Sequence, residues 1–276
     1  MAKRLNNENT VGDVLKYTWE QNDPESSSQA NTATPTAFKT SGPVFRSIEG
    51  STKSFRFFPN KNTILAGQTS NTWEVLPAVS RVLNFALTVR DNVAGGAQTA
   101  TDEMKVTVSN LSGPFIITSQ NTTVSYPAGS NQTITWEVAS TDQAPVNARF
   151  VDIYLSTDNG SSFPILLASK VPNDGSEIVT IPNSIGNNNR IMVRGFDSIF
   201  FDISNTTFAI TDPLDYFALS FSGIEGEQNK SVCKTGSLTF SMPFSIFDGT
   251  LAPVTFTALN LPAGMTATFT PEQATL

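Results

Sequence analysis

The chain of 276 residues contains no histidine and one cysteine. Without an imidazole, a serine or cysteine nucleophile lacks its usual base, and a catalytic zinc centre of the His-rich kind is excluded. A Ser-Lys pair would remain, but Ser51-Thr-Lys53 and Ser231-Val-Cys-Lys234 lie in turn-like or strand-like surroundings, not at the start of a helix. Cys233 has no partner for an internal disulfide, so the fold stands without one, and it reads as a small buried apolar residue. Long apolar runs are missing as well. No segment approaches the roughly 18 residues that span a bilayer, and Met1-Ala-Lys-Arg-Leu lacks the apolar stretch of a secretory signal. Positive charge is scarce: 17 Lys and Arg against 24 Asp and Glu leave a net charge of -7. That excludes a nucleic-acid surface, which needs clustered cations to displace counterions. The chain is expected to be cytosolic or a fragment of something longer. Its abundance of Ser, Thr, Asn and Gly favours a fragment of a secreted protein.

What is present is period-two patterning. All 3 tryptophans sit in the tripeptide Thr-Trp-Glu, at Trp19, Trp73 and Trp136. Leu15-Tyr17-Trp19 and Ile134-Trp136-Val138 alternate with polar residues, as strands with one buried face do. Trp19 and Trp136 are therefore expected to be structural core residues. Leu83-Phe85-Leu87-Val89 and Met104-Val106-Val108 flank the turn-rich Asp91–Gly96 and read as a hairpin. Ser109-Asn-Leu-Ser-Gly-Pro114 follows as a linker. Short strands then recur about every ten residues from Phe115 to Ile210, the rhythm of a β-sandwich. A further set begins at Phe217. The expected fold is all-β: tandem immunoglobulin-like or fibronectin-like sandwiches over 1–110, 113–211 and 213–276. The first is expected to be clipped at its start and the third truncated.

Ser156-Thr-Asp-Asn-Gly-Ser-Ser-Phe163 matches the Asp-box pattern of propeller hairpins, but a propeller repeats it once per blade and here it occurs once. It reads as a hairpin whose Asn159-Gly160 takes positive φ, with Asp158 bonding its own backbone. Calcium is the cofactor that Asp91, Asn92, Asp102 and Glu103 would hold, although an ion that takes roughly six to eight oxygens is poorly supplied by four scattered residues. No spacing favours a particular carboxylate pair for glycoside hydrolysis. Trp73 lies where alternation is weak, between Gly67 and Pro77, so it is either a loop anchor or a displayed platform for a ligand.

Leu15-Lys-Tyr-Thr-Trp-Glu-Gln21, Gly42-Pro-Val-Phe-Arg46, Arg56-Phe-Phe-Pro-Asn60, Asn71-Thr-Trp-Glu-Val-Leu-Pro77 and Leu83-Asn-Phe-Ala-Leu-Thr-Val-Arg-Asp91 occur in that order. The arrangement resembles the region after the catalytic domain of secreted bacterial reprolysin-like zinc metallopeptidases. The first stretch is also similar to polycystic-kidney-type and cadherin-like sandwiches. The resemblance continues through Tyr126-Pro-Ala-Gly129, Val151-Asp-Ile-Tyr-Leu-Ser-Thr-Asp158 and Leu261-Pro-Ala-Gly-Met-Thr-Ala-Thr-Phe269. It implies non-catalytic accessory domains, secreted or at the cell surface, that space, stabilise or present a parent catalytic domain holding the zinc. No catalytic or metal residue carries over, because the family's zinc motif is built on histidine. The alternative expectation is an adhesive or carbohydrate- or protein-binding module of a bacterial surface protein. An extracellular protein or polysaccharide would be its partner, and Trp73 the candidate contact.

Overall fold

The computed structural model describes residues 14–25, 34–93, 97–212, 217–219, 230–232, 236–246, 253–259 and 261–274; Cys233, Lys234 and the start of the chain lie outside them. The first unit comprises β1 (Lys16–Gln21), a short helix α1 (Lys61–Leu65), β2 (Ser70–Asn71), β3 (Glu74–Val75), β4 (Arg81–Arg90) and β5 (Thr99–Val108). β4 is the centre of an antiparallel sheet in the order β1-β4-β5. Its alternation decides which face is dry: Leu83, Phe85, Leu87 and Val89 are buried, while their neighbours Asn84, Ala86 and Thr88 are half-buried on the other side. Irregular chain from residue 34 to the β2–β3 ladder covers the apolar face, bringing Val44 and Phe45 against Leu83 and Phe85. Arg81 fastens this cover, donating to the carbonyls of Lys39 and Gly42 at 2.7 Å each.

The second unit contains β6 (Ile116–Ile117), β7 (Ser125–Pro127), β8 (Asn131–Glu137), β9 (Phe150–Ser156), β10 (Ile165–Pro172), β11 (Ser176–Thr180), β12 (Gly186–Gly195), β13 (Phe201–Ile203) and β14 (Phe208–Thr211). One sheet runs β10-β9-β12-β14-β7, with β13 also on β12, and the other runs β11-β8-β6. All these pairs are antiparallel except β14 with β7. Ile134 and Trp136 from one sheet meet Ile153, Leu155, Ile191 and Phe208 from the other in a shared core. Each fully buried aliphatic side chain contributes about 1.5–3 kcal/mol. The core also holds a satisfied polar pin. Trp136 Nε1 donates to Asn173 Oδ1 at 2.9 Å, and Asn173 Nδ2 donates onward to Thr141 Oγ1 and the Ala148 carbonyl. That leaves the indole N–H and the amide paired, as buried polar groups need to be.

Beyond these lie β15 (Phe217–Leu219) paired with β16 (Phe244–Ile246), and β17 (Val254–Thr255) paired with β18 (Gln273–Ala274). Among the described residues α1 is the one helix, so the fold is all-β. Ile153 is fully buried on β9, which is paired on both sides. Ile153→Ala is expected to lower unfolding free energy by about 2–5 kcal/mol in a denaturant titration.

Candidate functional site

An open groove of about 220 Å³ lies along β1. Tyr17 and Trp19 project from the same face of that strand, since they are two residues apart. The segment 48–57 runs beside them and forms the opposite wall. Tyr17 and Ser51 exchange backbone hydrogen bonds at 2.8 and 3.0 Å, and the Trp19 indole donates to the Ser54 carbonyl at 3.0 Å. The lining is aromatic, with Tyr17, Trp19, Phe55 and Phe57, and polar, with Glu49, Ser51, Lys53, Asn60 and Lys61. Phe55 is 54% exposed, a large cost in water for a ring with nothing on it. Phe55 meets Phe57 edge-on at 5.5 Å, and Phe57 meets Phe201 of the second unit at 5.3 Å. The aromatic row therefore continues from one unit to the next.

Beneath the groove is a buried ion pair. Arg56 bonds Glu74, the Trp19 carbonyl at 2.7 Å and the Arg46 carbonyl at 2.7 Å, while its guanidinium lies 4.4 Å from the Phe58 ring centre. Glu74 also accepts from the backbone and side-chain N–H of Asn60, both at 2.8 Å. Burial pushes the Arg56 pKa down, and the hydrogen bond and charge of Glu74 oppose that shift. Glu74 is 1% exposed, so its charge depends on these partners. Glu49 is the one carboxylate lining the groove among the described residues, and it faces Lys16 at 3.6 Å. Hydrolysis by a carboxylate pair has no such pair in this groove.

No protein-family model matches the chain, and no curated protein matches it. Among solved structures it is similar to the Bacteroides ovatus mixed-linkage glucan utilization locus protein SGBP-B in complex with a mixed-linkage heptasaccharide. The identity is 14% over 73% of this chain and 38% of that one, and the TM-score is 0.22. The chain thus spans less than half of that structure, and a likeness this loose carries no argument about ligand or activity.

The tryptophans occupy different settings. Trp136 is 4% exposed in the core of the second unit. Trp19 is partly buried, packing against the first core while lining the groove. Trp73 is 45% exposed at the β2–β3 turn, outside the groove lining, with its backbone N–H donating to Asn71 Oδ1. Asp102 and Glu103 are neighbours in β5, so their side chains point to opposite faces. Asp91 caps its own turn, accepting from the Val93 and Gln98 N–H groups, and Asn92 follows it with φ +54°. The structure does not bring these four together, and among the described residues no group of three or more Asp, Glu or Cys side chains converges. Tyr17, Phe55 and Phe57 are groove residues that sequence patterning did not single out for binding. The clue available was the density of aromatics in Phe55-Arg-Phe-Phe58.

The Ser156–Phe163 hairpin joins β9 to β10, with Asn159 at φ +58° and Gly160 at φ +79° as the Asn-Gly pair predicts. Asp158 Oδ1 accepts from Ser156 Oγ at 2.7 Å and the Ser162 N–H at 2.8 Å, and Oδ2 accepts from Ser162 Oγ at 2.7 Å. Desolvation works to raise the Asp158 pKa, but the bonds from Ser162, Ser156 and Ser161 outweigh it and bring it to about 2. This loop is also the contact with the first unit. A Cβ on Gly160 would lie 2.5 Å from Leu65 Cδ2, and Arg190 donates to Asn159 Oδ1, the Leu65 carbonyl and the Ser204 carbonyl. Lys61, on the same helix as Leu65, reaches the Ser161 carbonyl at 3.4 Å. The hairpin therefore sits against the helix that supplies one end of the groove.

Glu74→Ala would leave Arg56 buried without its counter-charge, and the expected loss is about 3–5 kcal/mol of stability by chemical denaturation. For Asp158, a carbon-detected NMR titration is expected to give a midpoint near 2, against the ordinary 3.8, with Ser162→Ala moving it upward. Because the folded value lies below the ordinary one, the ionised loop favours the folded state above about pH 4. That contribution fades as pH falls through 2.

Proposed function

We propose that this chain is a non-catalytic array of extracellular β-domains that binds a polysaccharide along the β1 groove. The aromatic lining carries this reading: Tyr17, Trp19, Phe55 and Phe57 share one open groove with Ser51, Asn60 and two lysines at its edges. Sugar rings present apolar C–H faces and polar hydroxyl rims, so a site that takes them combines aromatic surface with hydrogen-bonding groups. A few placed polar groups in an apolar concavity are the general form of a binding site. The rings of Phe55 and Phe57 are 76° apart, which supports a single chain lying between them over a flat crystalline surface.

Docking of the second unit on α1 supports a presenting role in addition. Two β units held by Arg190 and the Asp158 hairpin would keep the groove at a set orientation relative to whatever the chain is attached to. The immunoglobulin-like or fibronectin-like character of the units, and attachment to a reprolysin-like metallopeptidase, belong to this proposal and rest on the sequence resemblance. The test is isothermal titration of the chain with a panel of soluble polysaccharides. A member of the panel is expected to bind, and Phe55→Ala to weaken it about tenfold, the cost of one aromatic contact. Equal binding by wild type and Phe55→Ala would remove the groove from consideration.

A further inference from the structure

We infer that the polysaccharide is an acidic one, bearing uronate carboxylates, with Lys53 and Lys61 as the residues that select it. This rests on the groove reading above and adds the ligand's charge. The chain as a whole is acidic, with a net charge of -7, yet the groove is not. Its one carboxylate, Glu49, faces Lys16, and the Arg56 guanidinium beneath it is matched by Glu74. Among the described residues, Lys53 and Lys61 form no ion pair. Lys53 Nζ lies 5.8 Å from the centre of the Phe55 ring, and Lys61 Nζ is held near the Ser161 carbonyl at 3.4 Å. Two cations outside any ion pair thus line an aromatic groove on a protein of net charge -7.

An acidic peptide has the same charge, but the groove gives it little backbone recognition. One way an extended peptide gains backbone recognition is to add a strand to an open sheet edge. Here the outer edge of β1 is already bridged to Ser51 through both of its hydrogen bonds at Tyr17. Aromatic faces, hydroxyl and amide groups, and lysines remain, which suit a sugar ring carrying a carboxylate.

The experiment compares homogalacturonan oligosaccharides in the free-acid form with the same oligosaccharides fully methyl-esterified, which differ in charge on one backbone. Titrations use the whole chain, the Lys53→Ala/Lys61→Ala double variant and Phe55→Ala, in low and physiological salt. Both lysines reach solvent from the groove edge, and circular dichroism checks that the variants fold. The free acid is expected to bind about tenfold more tightly than the ester at low salt, at roughly two- to fivefold per lysine. That preference should shrink as salt screens the charges and vanish in the double variant, while Phe55→Ala weakens both forms.

If the ester binds as well as the acid, or the double variant keeps the preference, the charge inference fails while the groove reading stands. If neither form binds, the inference fails, and the polysaccharide panel alone then decides the groove reading. Poly-glutamate binding that equals the acid oligosaccharide and depends on the same lysines would overturn the choice of a sugar.

Discussion

The first unit depends on Glu74, a carboxylate buried to 1% exposure and held by Arg56 and by two N–H donors of Asn60. A lone charge at that depth would be neutralised or would unfold its surroundings. Satisfying it requires residues 56, 60 and 74 to meet, and that meeting closes the irregular cover over the sheet. Arg56 also reaches back to the Trp19 and Arg46 carbonyls, so the same pair ties the cover to β1. The groove exists because those two elements are held side by side with their aromatic residues facing the gap.

Coupling to the second unit follows from the same helix. α1 is preceded by Asn60, whose side chain accepts from Thr63 N–H as the N-cap, and ends at Leu65, where Arg190 donates to the carbonyl. One end of a five-residue helix is therefore anchored by the buried carboxylate of the first unit and the other by a buried cation of the second. So short a helix has little stability of its own and owes its shape to these contacts. Phe57 against Phe201 adds an apolar contact beside the polar ones.

Much of the sheet structure was legible before any coordinate. The alternation in Leu83–Val89 marks β4, and Asn159-Gly160 marks the turn between β9 and β10, because period two and positive φ are local properties. The cover of the first unit was not legible, since residues 34–60 carry no periodicity and are placed by long-range contacts such as Arg81 to Lys39 and Gly42. The groove was hidden for the same reason. Trp19 patterns as a core residue, and it does pack on the core, but its other side is left open by how segment 48–57 runs beside it.

Composition and patterning thus determined that the chain is all-β and that histidine-based chemistry is outside its reach, because these depend on which residues exist and on how neighbours alternate. Tertiary structure decided which aromatics face solvent together, which charges are cancelled and which are left over. Lys53 and Lys61 are ordinary surface residues in a linear reading; they become a pair of cations in one groove once Glu74 is committed to Arg56 and the exposed Glu49 faces Lys16. Charge balance at a site is a property of distances between residues far apart in the chain, and only the folded arrangement sets those distances.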